Sequence, residues 1–234
     1  MTDFGTPGSF PTPPTPPSSG ARTGPPWEQP GAFFQRWLDT AKSILLDPQG
    51  GFRNVRRTGG LGAPLTYYAV GAAPFIIASI FFQLIGIGGS MMGGGDAAGP
   101  AAMLGGLGMI GVLLFMIVGI FVFFFIYTGL VHLTLSLLGG ARHGYEATVR
   151  TFAYAHGSAL PIGIVPFCGG AIAGIWALIC EIFGLAEMQE TTPVKAAVAI
   201  FAPLVLCCVV MFVFWAAIMA MIMGSAATAG AMSQ

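Results

Sequence analysis

Between residues 58 and 141 the chain carries a single formal charge, Asp96. An average globular chain is about one-quarter charged, so a stretch this poor in charge cannot form a soluble surface and must face lipid. A ~30 Å hydrocarbon core takes about 20 apolar residues as helix, and runs of that order recur to the C-terminal end. The pattern predicts five spans: 64–89, a single span near 110–138, 151–167, 170–187 and 197–223. The second lies in a longer apolar run, 101–138, which as one helix would reach about 57 Å at 1.5 Å per residue. Either that helix is long, tilted and protruding, or its Gly-rich beginning bends or lies outside the lipid. The third and fourth runs are separated only by 166–170, so a re-entrant pair turning back inside the membrane is the alternative to two crossings. Pro161 and Gly163 would kink the first arm, which neighbouring backbone can compensate.

Ahead of the spans the pattern changes period. In residues 31–47, Phe33, Phe34, Trp37, Leu38, Ala41, Ile44 and Leu45 recur at helical spacing, while Gln35, Arg36, Asp39, Thr40, Lys42 and Ser43 take the other face. The run is too short and too charged to cross a bilayer. It fits an amphipathic helix lying at the interface, stopped by Pro48 after Asp47; packing against a protein surface is the alternative. Residues 49–62 read as a basic juxtamembrane turn. Arg53, Arg56 and Arg57, with Trp37, are the candidate membrane-surface contacts, each cation contributing about 1 kcal/mol beside anionic headgroups. Residues 1–30, rich in Pro, Gly, Ser and Thr, read as a disordered tail of polyproline II character, with no apolar h-region of a cleavable signal. The expected organisation is tail 1–30, amphipathic helix and basic turn 31–62, membrane domain 63–223 and a short flexible tail 224–234.

Composition agrees: 55% of residues are hydrophobic and 8% charged, with zero net charge, which suggests no nucleic-acid partner. Cys168, Cys180, Cys207 and Cys208 lie in apolar runs and suggest no disulfide framework. Charge also orients the chain. With five spans, all nine Lys and Arg residues fall on one side, which the positive-inside bias makes cytoplasmic, leaving the C-terminus outside. A re-entrant hairpin would leave the same residues on the same side.

Little in the chain points to chemistry. Gly106-x-Gly108-x-x-Gly111 has the letters of a dinucleotide fingerprint but neither the preceding strand nor the following acid, and its glycines suit close helix packing. There is no HExxH, CxxC pair, GxSxG or P-loop, so an enzyme, a cofactor and a metal are not expected. His132, His156 and Glu181 lie in or beside apolar runs, at comparable depth near the cytoplasmic side. Intramembrane ionisable groups are functional candidates by default, and with Tyr154 and Trp176 these three form a candidate polar cluster. Polar bonding between helices is the simpler reading.

The order of these features carries a resemblance. Within it stand His132-Leu-x-Leu135, Leu138-Gly-Gly140, Gly144-Tyr-Glu-Ala-Thr148 with Arg150, Ala153-Tyr-Ala155, Ile164-Val-Pro166, Ile175-Trp176 and Ile182-x-Gly184-Leu185 before Lys195-Ala196. Over about 31–223 the chain resembles the Yip1-domain family in its prokaryotic form. The resemblance implies five spans and a place in the prokaryotic cytoplasmic membrane. Eukaryotic members are Golgi and endoplasmic-reticulum proteins associated with Rab GTPases and vesicle traffic. Their cytosolic N-terminal region is not matched by residues 1–30, so the resemblance does not carry GTPase binding over, and it supplies no catalytic residue. The expectation is an all-α integral membrane bundle acting as a non-enzymatic membrane-organising or adaptor protein. Its partners would be the lipid bilayer and a membrane protein or a second copy. The alternative is a small transporter or lipid-handling protein using Glu181, His132 and His156.

Overall fold

The computed structural model describes residues 22–92, 100–165 and 168–232, with side chains described for 22–81, 118–165, 168–216, 218 and 219. The tail 1–21, the loop holding Asp96 and the residues 166–167 between the third and fourth segments lie outside these ranges. The described chain is helical: α1 Phe33–Leu46, α2 Pro48–Asn54, α3 Gly62–Met92, α4 Pro100–Leu137, α5 Gly144–Ala159, α6 Gly169–Met188 and α7 Pro193–Met232, with short 3-10 turns at Pro26–Glu28 and Leu160–Ile164.

Four helices hold stretches long and apolar enough to cross a membrane: Gly62–Phe81 in α3, Val118–Leu137 in α4, Gly169–Met188 in α6 and Pro193–Ala216 in α7. The exception among the expected five is the third segment. Its helix, α5, begins at Gly144 rather than near 151 and so takes Glu146 and Arg150, expected in a polar connection, into the bundle. Twelve of its 16 residues are buried, because it packs against α3, α6, α1 and α4. Protein rather than lipid covers α5, so it need not be uniformly apolar.

Small residues let the neighbours close in. A Cβ added at Gly71 of α3 would fall on the Gly157 backbone of α5, and one at Gly157 would lie 2.6 Å from the Tyr67 ring. Small residues serve the same purpose where helices meet inside membranes. Beyond α5 the 3-10 turn Leu160–Ile164 leads to a reversal, with Gly169 N–H donating to the Val165 carbonyl at 3.0 Å, and α6 returns along α5. At the end of α4, Gly139 takes φ +64°. There Gly140 N–H donates to the Leu135 carbonyl at 2.9 Å and Gly139 N–H to that of Ser136, the 6→1 and shorter bonds that end a helix at a left-handed residue.

The N-terminal region corrects three expectations. Residues 22–30 are not a disordered tail: Trp27 is 8% exposed, its N–H donates to Thr40 Oγ1 at 2.8 Å and its indole N–H to the Ala63 carbonyl at 2.9 Å. A large aromatic in a Pro/Gly-rich run supplies the apolar area the rest of that run lacks. Residues 48–54 are helix α2 rather than a turn, started by Pro48 and capped by Asp47, whose Oδ1 accepts from Gly50 N–H at 2.9 Å. Pro48 thus separates two helices. The face of α1 buried in protein is Thr40, Ala41 and Ile44, packed on α5 and α6, while Phe33, Phe34 and Leu46 stay exposed. At the far end, residues 224–232, expected as a flexible tail, continue α7.

Candidate functional site

Helix α5 organises the polar groups because it carries two stripes of them. Residues four apart lie on one helix face, and Glu146, Arg150, Tyr154 and Ser158 follow that spacing. Thr148, Phe152 and His156 follow it on nearly the opposite face.

The first stripe centres on Arg150, 1% exposed. Its Nη1 donates to Glu28 Oε1 at 2.7 Å, its Nε to Glu146 Oε1 at 3.1 Å and its Nη2 to the Gly60 carbonyl at 2.7 Å. Tyr154 donates its hydroxyl to the same Glu28 oxygen at 2.7 Å, and Gly60 N–H donates to Glu146 Oε1 at 2.7 Å. Arg56 stands 3.8 Å from the second Glu28 oxygen. Two guanidinium groups thus face two carboxylates, so the buried charge is balanced. One turn deeper, Ser158 donates to the Tyr154 carbonyl and shares a 2.8 Å hydrogen bond with Tyr67.

A second polar layer closes the end of the bundle. Arg22 donates to the Phe52 carbonyl at 2.8 Å and to Glu187 Oε1 at 3.2 Å. Burial, and next the neighbouring Arg57, lower the pKa of its guanidinium from the ordinary value. Glu190 has φ +50°, a left-handed conformation that an L side chain adopts only at a cost. Its carboxylate lies 3.1 Å from His143 Nε2 and accepts from Arg57 Nη2 at 2.6 Å. These two partners, His143 first, hold its pKa down at about 2. Gln189, fully buried, accepts from His143 N–H and donates to the Gly144 carbonyl and to Thr148 Oγ1.

The second stripe leads inward. His132 Nδ1 meets Thr148 Oγ1 at 2.9 Å. Deeper, His156 Nδ1 lies 2.8 Å from Glu181 Oε1 and 3.2 Å from the Phe152 carbonyl. The carbonyl lies along the ring N–H direction. The carboxylate contact is close but off that axis, so Glu181 Oε1 has no aligned donor among the described residues. The contact is an ion pair only where the imidazole is protonated. Rings of Tyr68, Phe152 and Phe124 surround His156 with centroids 6.1, 6.2 and 6.5 Å away.

Of the expected cluster, the fold brings together only His156 and Glu181. His132 bonds one polar layer nearer the end of α5. Tyr154 faces the opposite stripe. Trp176 donates its indole N–H to the Leu45 carbonyl of α1 at 3.1 Å. Depth separates His132, whose partner Thr148 lies two turns before His156 on the same stripe, and azimuth separates Tyr154. The expected surface arginines are also redistributed. Arg56 and Arg57 engage Glu28 and Glu190, and Arg53, 64% exposed, approaches Glu187 at 3.8 Å. Trp37 stacks on Tyr67 with ring centroids 6.4 Å apart. Glu28 and Arg150 were missed as partners; the signal for the first was Trp27-Glu28 standing in an otherwise small-residue, Pro-rich run. Among the described residues, no group of three or more His, Cys, Asp or Glu could hold a metal.

These features define an all-helical multi-pass membrane protein whose N-terminal segment is folded onto one end of its bundle. A family model described as Yip1 domain matches residues 42–215. The match covers most of the chain, which therefore belongs to the Yip1 family. No curated protein and no solved structure matched it.

Removing one member of a buried ion cluster leaves the others uncompensated, at about 3–5 kcal/mol. Arg150→Met is expected to lower stability by that order in mild detergent, and Arg150→Met with Glu28→Gln by less than the sum of the single changes. Chemical denaturation of the four proteins checks this. Additive effects, or a loss below about 1 kcal/mol for Arg150→Met, would show that the cluster does not act as a unit.

Proposed function

We propose that this protein is a non-enzymatic membrane-organising or adaptor protein, with a five-crossing bundle as anchor and the N-terminal segment 22–57 as a cap presented to a partner. The clamp carries the reading: Glu28 is held by Arg150 and Tyr154, so the cap rides rigidly on the bundle. Its rim leaves Phe33, Phe34 and the Arg53 guanidinium exposed, and aromatic and Arg side chains are enriched where proteins bind one another. On the bundle itself, Val209 to Trp215 expose apolar side chains continuously, a surface for lipid, a membrane-protein partner or a second copy. Affinity purification after crosslinking in native membranes is expected to recover a partner with the wild type and to lose it with Arg53→Glu, at unchanged expression and melting temperature. Recovery of no partner by the wild type would sink the adaptor reading.

The fifth crossing is α5 with the turn that extends it. Sixteen α-helical and five 3-10 residues rise about 24 and 10 Å, which together match the ~30 Å core. Arg22, Arg53, Arg56, Arg57 and Lys195 all gather at the end where α6 finishes and α7 begins, which supports a cytoplasmic N-terminus in a prokaryotic inner membrane. Reporters fused after Gln234 and inserted between Val165 and Gly169 are both expected to read as external. An insertion at 165–169 that cannot be reached from outside would replace five crossings with three and a re-entrant hairpin.

A second reading, a small transporter, rests on the His156–Glu181 contact, since a carboxylate 4% exposed inside a spanning bundle without an aligned donor is suited to exchange a proton. Glu181→Gln in reconstituted vesicles is then expected to abolish proton-coupled flux. No flux from wild type, or flux unaltered by the substitution, counts against it.

A further inference from the structure

Between α1 and the inner end of α5 lies a groove of about 350 Å³, lined by Trp37, Leu38, Lys42 and Leu45 on one side and by Ser158, Pro161 and Ile162 on the other. Its volume is within the ~300–1,000 Å³ of small-molecule sites. We propose that it holds one acyl chain of an anionic phospholipid from the surrounding bilayer, with the headgroup at Lys42.

Three observations select this occupant. The first is the chemistry of the walls. Of the polar atoms among them, Ser158 Oγ is committed to the Tyr154 carbonyl and Tyr67, and the Trp37 indole N–H is a single donor without a partner among the described residues. A peptide laid in the groove would leave backbone N–H and C=O groups without partners, at several kcal/mol for each group shielded from water. An acyl chain has none to leave.

The second is continuity. Past Ile162 the surface goes on through Ile164 and Val165, 42% and 52% exposed, to Ile172 on α6, 48% exposed. The groove therefore continues onto an apolar side of the bundle rather than ending at Ile162.

The third is charge. Lys42 is exposed and makes no ion pair among the described residues. The acids next to it in sequence have other work: Asp39 accepts from Gln35, and Asp47 caps α2. A lysine stem can lie along an apolar wall while its ammonium reaches a headgroup. The wall itself is preformed, because Trp37 is held against Tyr67 and Trp176 ties α6 to the Leu45 carbonyl.

The test uses the full-length protein and two lipids with the same chains, phosphatidylglycerol and phosphatidylcholine. Native mass spectrometry from mild detergent is expected to show wild type retaining phosphatidylglycerol about fivefold better, the equivalent of the ~1 kcal/mol one cation contributes at an anionic surface. Lys42→Glu should remove that preference. Ile162→Trp, which fills the groove, should reduce retention of both lipids by about tenfold. Since either variant could fold poorly, a wild-type measurement stands beside them. In vesicles containing phosphatidylglycerol brominated on its chains, Trp37 fluorescence, taken as the difference from Trp37→Phe, should be quenched. Three results would overturn the proposal: no quenching of Trp37, full lipid retention by Ile162→Trp, or a wild-type dimer that Ile162→Trp converts to monomer without changing lipid retention. The last would make the occupant a second copy of this chain.

Discussion

The Arg150 guanidinium is almost sealed from solvent, and it can stay charged there only if the fold supplies acceptors on several sides. Desolvating each ion costs several kcal/mol, and good geometry with charge-assisted hydrogen bonds must offset it. The acceptors come from three places far apart in sequence: Glu28 in the N-terminal cap, Gly60 in the link to α3, and Glu146 one turn back on α5. An apolar residue of similar size could fill the same volume without requiring any of the three. The ionic arrangement is what ties the cap's position to that of α5. Around it the other cap contacts follow: Trp27 edges onto the Tyr67 ring at 5.5 Å, and Tyr67 lies 5.1 Å from Tyr154.

Lipid as solvent explains which parts of the fold hydrophobicity reveals. A helix facing hydrocarbon has to be apolar on that side, so α3, α4, α6 and α7 announce themselves by their runs. Helix α5 touches other helices on nearly all sides, and its sequence answers to those neighbours. It holds Ala and Gly where a backbone approaches and polar groups where a partner waits. Reading apolar runs alone therefore begins this segment at 151, two turns too late. The long apolar run 101–138 raises the converse difficulty. It is one continuous helix, α4, because glycine weakens a helix by only about 1 kcal/mol per residue and its six glycines do not end it.

Local chemistry was legible where it is self-contained. The period of residues 33–45 marks α1, Pro48 marks its end, and the absence of charge marks the spans. What was illegible depends on azimuth and on distant partners. His132, His156 and Glu181 count to a comparable depth from the helix ends, yet His132 meets α5 two turns before His156, and only the last two face each other. Trp176 was expected with them and instead bonds α1. Arg56 and Arg57 read as free cations beside lipid, because nothing local says that Glu28 and Glu190 will fold back to meet them. Two clues were present nonetheless: Trp27-Glu28 in a run too poor in apolar area to hold itself, and the four-residue spacing of Glu146, Arg150, Tyr154 and Ser158.

That spacing also bears on how the bundle forms. Inside a bilayer every polar group needs a partner from the protein. With polar stripes on both faces, α5 has no azimuth on which it could rest against lipid alone. Its first stripe is satisfied by the cap and α3, its second by α4, Gln189 and Glu181 of the α6 segment. Helix α6 follows α5 closely in sequence and brings Glu181 and Gln189 with it. Helix α5 thus packs against α3, α4, α1 and α6 together. The sheltered helix follows from one constraint: a segment carrying Glu146, Arg150 and His156 cannot wait in hydrocarbon for its partners.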